Sequence, residues 1–190
     1  MQDHPDAYYV ARVVEGEKNA FAPLVDAYKN MVFTLCLRML GDEVDAEEAA
    51  QEVFIKVFNS ISSYREKSAF STWVYRITYN HCISVIRKKI RVIDLADEVP
   101  DDRVDEGVMD GLDRLRDEDR AHYVQKALEA IPETDAFMVT LFYFEGLDLE
   151  EIARITGYSS GNVRTRLHRA RKKIYEVLQG LLHKELRNIL

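Results

Sequence analysis

GYSSGNVRTRLHRARKKI, residues 157–174, holds Arg164, Arg166, Arg169, Arg171, Lys172 and Lys173 and no acid. The chain around it is acidic, with 26 basic against 33 acidic residues over 190 positions and a net charge of −7. Such a run needs a local reason, because attraction between charges is screened beyond about 10 Å in 0.1 M salt. Val163, Leu167, Ala170 and Ile174 recur at spacings of 4, 3 and 4, an apolar stripe along a helix. At about 100° per residue, Thr165, His168, Arg169 and Lys172 then face away from that stripe. Arg164 and Arg171 fall on one flank and Arg166 on the other. An apolar back with long donors in front suits a helix lying in the major groove of DNA.

The preceding residues, LEEIARITGYSS, complete a helix-turn-helix pattern. Ala153 is small where the second helix must cross the first, Gly157 tolerates a turn with positive φ, and Val163 packs the second helix back. Asp148 and Glu151 fit a capping box for the first helix. A basic stripe alone is most often a solvated helix face. Joined to this turn signature and an acid-free run, it is read as a DNA contact.

Composition supports an all-α chain. Hydrophobic residues make up 47% and charged residues 31%, Gly (8) and Pro (4) are scarce, and helix formers dominate. No apolar run approaches the ~20 residues of a membrane span, and MQDHPDAYYVARVV lacks the pattern of a signal peptide. Cys36 and Cys82 have no CxxC or zinc-ligand spacing, so two reduced, buried thiols in a cytosolic protein are expected. No cofactor or metal is implied.

Charge divides the chain. Residues 65–92 carry seven basic residues against Glu66, a net of +6. Residues 93–119 carry twelve acids against Arg103, Arg114 and Arg116, a net of −9, with Pro100 and two glycines. Residues 151–190 return to +6. Two small helical domains, 1–92 and 120–190, joined by an acidic flexible linker over 93–119, are therefore expected.

In the first block, FAPLVDAYKNMVFTLCLRML runs at helical spacing to Gly41, which can cap it. DAEEAAQEVFIKVFNSI follows, with Asp45 and Glu48 as a capping box and Ala49, Val53, Phe54, Val57, Phe58 and Ile61 as its buried face. After the polar loop SSYREKSAF comes a helix over 72–91. There Tyr75, Tyr79, Cys82, Ile86 and Ile90 form one face, and Trp73, Arg76, Asn80, Arg87 and Arg91 the opposite, polar stripe. A tryptophan is more often core, yet an indole among guanidiniums is also how proteins stack an unpaired base. Tyr64, Arg65, Lys67 and Phe70 in the loop could enclose a flipped base. In the second block Pro132 suits a first helical turn and Gly146 a helix end.

These residues carry a resemblance. DAEEAAQEVFIKVFNSISSYREKSAFSTWVYRITYN resembles region two, and AIPETDAFMVTLFYFEGLDLEEIARITGYSSGNVRTRLHRARKKI region four, of the extracytoplasmic-function (group IV) sigma factors of bacterial RNA polymerase. The likeness covers roughly residues 10–92 and 120–178, in family order. It implies a non-enzymatic protein that binds core RNA polymerase, through the β′ clamp helices and the β flap, and directs it to promoter DNA. By motif position, Leu149, Glu150, Arg164, Thr165, His168, Arg169 and Lys172 would meet the duplex −35 element. Lys56, the loop Tyr64–Thr72 with Arg65 and Phe70, and Trp73, Arg76, Asn80 and Arg87 would open and hold the −10 element. Asp45, Glu48, Gln51 and Glu52 would face the clamp helices. An anti-sigma partner is also implied. The expected location is the cytoplasm, with tethering to the membrane through that partner as an option. Asn162 stands where the family usually has Thr.

Two other classes remain in view. A stand-alone helix-turn-helix regulator explains 149–174 equally well but leaves 45–91 without a reason. An enzyme finds no support, as no GxxxxGK[ST], HExxH or nucleophile–base pattern is present.

Overall fold

The computed structural model describes residues 5–90 and 117–189, with side chains described over 6–88 and 123–181. Every regular element among them is helical, and they form two units. None of the described helices is long and apolar enough to cross a membrane.

The first unit holds α1 (Pro5–Val14), a 3-10 turn at Lys18–Phe21, α2 (Ala22–Leu40), α3 (Glu43–Ser60), a second 3-10 turn at Ile61–Ser63 and α4 (Phe70–Ile90). As expected, Gly41 closes α2: at φ 72° its N–H reaches back to the Leu37 carbonyl at 2.9 Å. The start of α3 differs from expectation. Asp42, not Asp45, is the cap, its carboxylate accepting from the Asp45 amide at 3.0 Å, so the helix begins earlier. Ala46, Ala49 and Ala50 are buried along α3, and small side chains there let it lie close against α2. Val53 and Val57 of α3, Val32, Leu35 and Met39 of α2, and Val74 and Tyr75 of α4 are all buried in the unit where these three helices pack on one another. α1 is not evident from the sequence pattern. It is held by the Tyr28 hydroxyl, which donates to Asp6 at 2.6 Å.

The second unit is built around α5 (Asp117–Glu129), α6 (Glu133–Tyr143) and α8 (Ser160–Ile189), with α7 (Leu149–Thr156) in the chain between the last two. α5 starts at Asp117, so the last three residues of the expected linker are helical; residues 93–116 of that segment lie outside the described residues. Pro132 sits one position before α6, in extended conformation, as its cap rather than its first turn. α6 is buried from Asp135 through Leu141. α5 and α6 both pack on α8. Tyr123, Ala127 and Leu178 form a small core there, joined by Ile174, Tyr175, Val177 and Leu181.

Candidate nucleic-acid interface

The local signals expected of a helix-turn-helix, its caps and its turn, are present. Asp148 accepts from the Glu150 and Glu151 amides, both at 2.8 Å, and Glu151 returns a carboxylate to the Asp148 amide at 3.2 Å. That reciprocal box satisfies donors the first turn of α7 would otherwise leave open. Gly157 takes φ 79°, a conformation costly for any residue with a Cβ. Ser159 then caps α8 by accepting from Asn162 at 3.2 Å.

α8 has the polarity read from the sequence. Val163, Leu167 and Ala170 are buried and Ile174 is half-buried. Arg164, Thr165, His168 and Arg169 are exposed, and Lys172 is half-buried. Exposed Glu150 and half-buried Leu149 lie at the start of α7. Arg166 departs from expectation. Its Nη1 bonds Asp135 of α6 at 2.5 Å and its Nε bonds Asn162 at 3.0 Å, so it is bound to protein instead of lying free on the flank. Sequence reasoning missed Asp135 as its partner. The available signal was an acid in the most apolar stretch of the second unit, AFMVTLF with Asp135 before it.

In the first unit the loop 64–69 is closed on itself. The Tyr64 hydroxyl donates to the Ser68 carbonyl at 2.6 Å, and Glu66 turns the chain with φ 53°. Burial, then the charges of Glu66 and Asp6, push the Tyr64 phenol up, keeping it a donor. Arg65 and Lys67 project from this loop, exposed.

Trp73 is corrected. It is not on the solvated stripe but 9% exposed, with ring centroids 5.5 Å from Tyr64 and 5.6 Å from Phe70. Phe70 (3% exposed) meets Tyr28 at 5.7 Å, and Thr72 is 4% exposed, so both are packed within the first unit. Arg76, Asn80 and Arg87 are exposed on α4 as expected; Arg91 lies outside the described residues. Lys56 on α3 is exposed and reaches His81 of α4.

Glu48, Gln51 and Glu52 are exposed on α3, while Asp45 is half-buried. The same helix exposes Val44 and Ile55, which with Glu48 and Gln51 continue one stripe. Charge counting in the sequence overlooks these exposed apolar side chains. Tyr143 and Phe144, at the end of α6, are likewise exposed. No group of three or more metal-ligating side chains gathers among the described residues.

Comparison with known proteins matches both parts of the chain to described families. The family model for Sigma-70 region 2 matches residues 24–92, and that for Sigma-70, region 4 matches residues 121–174. The ECF RNA polymerase sigma factor SigW of Bacillus subtilis is 35% identical over 179 residues, 90% of this chain and 96% of its own. The RNA polymerase sigma-H factor of Pseudomonas aeruginosa is 35% identical over 190 residues, covering 96% and 98%. Among solved structures, the sigma factor RpoE in its complex with the anti-sigma factor NepR from Bartonella quintana superposes with a TM-score of 0.65. It covers 84% of this chain and 96% of its own at 21% identity, a likeness of fold.

Proposed function

The chain belongs to the extracytoplasmic-function family of RNA polymerase sigma factors, and we propose how its parts divide the work of that function. A sigma factor is not an enzyme; it brings core RNA polymerase to promoters, and the chemistry is the polymerase's. In this reading residues 1–92 bind core and the −10 element, 120–190 bind the −35 element, and the acidic segment 93–119 joins them. The observation that carries the assignment is the outward face of α8, where Arg164, Thr165, His168 and Arg169 stand exposed over a buried apolar back.

Leu149, Glu150 and Lys172 flank that face near the phosphates. On the first unit, Arg65, Lys56, Arg76, Asn80 and Arg87 supply donors to the non-template strand of the −10 element. Trp73, Phe70 and Thr72 support it from behind, and Tyr64 holds the loop in shape. On α3, Glu48, Gln51 and Glu52 with Asp45 beside them face the β′ clamp helices, and exposed Val44 and Ile55 add apolar area. Tyr143 and Phe144 serve the β flap. An anti-sigma protein that covers these surfaces keeps the factor inactive, which would retain it in the cytoplasm or at the inner face of the membrane. Support comes from the solved relative crystallised with its anti-sigma partner.

Run-off transcription tests this reading. Purified core polymerase is incubated with fragmented genomic DNA, with and without the protein, and RNA 5′ ends are mapped. Discrete new starts sharing two upstream elements are the expected result. Tight, salt-sensitive duplex binding without core, and no new starts, would point to the stand-alone regulator instead.

A further inference from the structure

Asp135 lies in the first turn of α6 and is 7% exposed. A carboxylate removed from water is costly unless paired and hydrogen-bonded. Its partner Arg166 stands 31 residues later, one turn beyond Asn162 on α8, and holds both groups at once through different nitrogens. Those two bonds fix the plane of the guanidinium as well as its position, a directional constraint that the aliphatic stripe Val163–Leu167–Ala170 does not supply. The stripe sets how deeply α8 seats. The charged bridge ties α8 to α6, whose Phe137, Met138 and Leu141 are themselves fully buried.

We propose that Arg166 is a positioning residue and not a DNA contact: by bridging Asp135 and Asn162 it holds α8 at the rotation that presents Arg164, Thr165, His168 and Arg169 to the −35 element. This rests on the assignment of that face above. A recognition helix turned by a few degrees still meets phosphates but misdirects its base-reading side chains. Losing the bridge therefore degrades sequence discrimination more than affinity.

The readout must separate affinity from discrimination. Asp135→Asn removes a negative charge beside the helix and releases Arg166, which tightens every duplex alike whether or not Arg166 touches DNA. Only loss of the positioning role lowers the ratio between a matched and a scrambled duplex. The holoenzyme is assayed on a promoter duplex recovered by run-off mapping and on the same duplex with its −35 hexamer scrambled. Asp135→Asn is expected to lower the ratio of the two affinities about tenfold, equivalent to misreading about one base pair. Arg166→Gln is expected to lower that ratio while leaving the salt dependence on the scrambled duplex unchanged, whereas removing a phosphate contact would reduce the slope by about 1.

Should Asp135→Asn fail to fold, Asn162→Ala at the exposed start of α8 breaks only the Nε bond, and a smaller loss of the ratio is expected. An unchanged ratio in Asn162→Ala and in any folded Asp135→Asn protein, or a reduced salt slope in Arg166→Gln, would overturn the proposal. Arg169→Ala in the same assay separates the two levels. If it lowers the ratio and the bridge variants do not, only the positioning role fails. If it leaves the ratio intact, the assignment of the α8 face fails and the positioning role falls with it.

Discussion

Lys56 Nζ of α3 and His81 Nδ1 of α4 stand 2.5 Å apart. An ammonium can only donate, so the imidazole accepts with an unprotonated Nδ1. Burial first, then the nearby Lys56, hold the His81 pKa below its ordinary 6.5; Glu52 opposes them, and Lys88 adds a smaller push in the same direction as Lys56. Protonating His81 would break the bond and set two cations against each other. The unfolded chain takes up this proton near pH 6.5 and the folded chain only at lower pH, so in that window the unfolded state binds more protons. Stability contributed here is intact above pH 6.5 and is lost as pH falls toward the folded pKa. The melting temperature of wild type should therefore drop between about pH 7.5 and 5.5 more than that of His81→Gln. Equal drops in the two proteins would contradict the pairing.

The thiols of Cys36 and Cys82 lie 3.7 Å apart, both fully buried. Their mutual hydrogen bond, then burial, pushes the Cys36 pKa well above the usual range for a thiol. Both sulfurs are shut away from solvent and the thiolate is the reactive form, so burial should make both cysteines resist a disulfide reagent at pH 8 in the native protein and react together on unfolding. Cys82→Ser is expected to cost about 1–3 kcal/mol, because a hydroxyl loses its water partners there. Rapid labelling of the folded protein would show that the pair is reachable.

Trp73 is the chain's only tryptophan, so its fluorescence reports one site. Packed on Tyr64 and Phe70, it should emit as a buried indole. Trp73→Ala should lower stability by about 3–5 kcal/mol in urea unfolding followed by circular dichroism. A variant of unchanged stability that nevertheless melts promoters poorly would make Trp73 a direct contact with the separated strand.

The contrast between α8 and α4 shows what the sequence reveals and what it hides. α8 has one covered side, so a single apolar stripe at helical spacing sorted its residues correctly apart from Arg166. α4 is covered twice, by α2 and α3 on one side and by the loop residue Tyr64 against Phe70 and Trp73 of its own first turn. A projection with one inside and one outside therefore placed Trp73 on the wrong side. Arg166 was misread for a different reason, since Asp135 is 31 residues away and no local pattern joins them. The cap of α3 failed locally. Asp42 and Asp45 compete in an acid-rich start, and Gly41 directly before Asp42 favours the earlier one.

The central claim is that the exposed face of α8 reads the −35 element while the first unit reads the −10 element. It is tested most directly by transcription from a promoter library randomised in both elements, comparing wild-type holoenzyme with His168→Ala. His168 is exposed on that face and sits one turn beyond Arg164. The expected result is relaxed preference at one or two adjacent −35 positions, at a cost of about 1–3 kcal/mol in discrimination, with −10 preferences unchanged. Unaltered −35 preferences, or a change confined to the −10 element, would contradict the account.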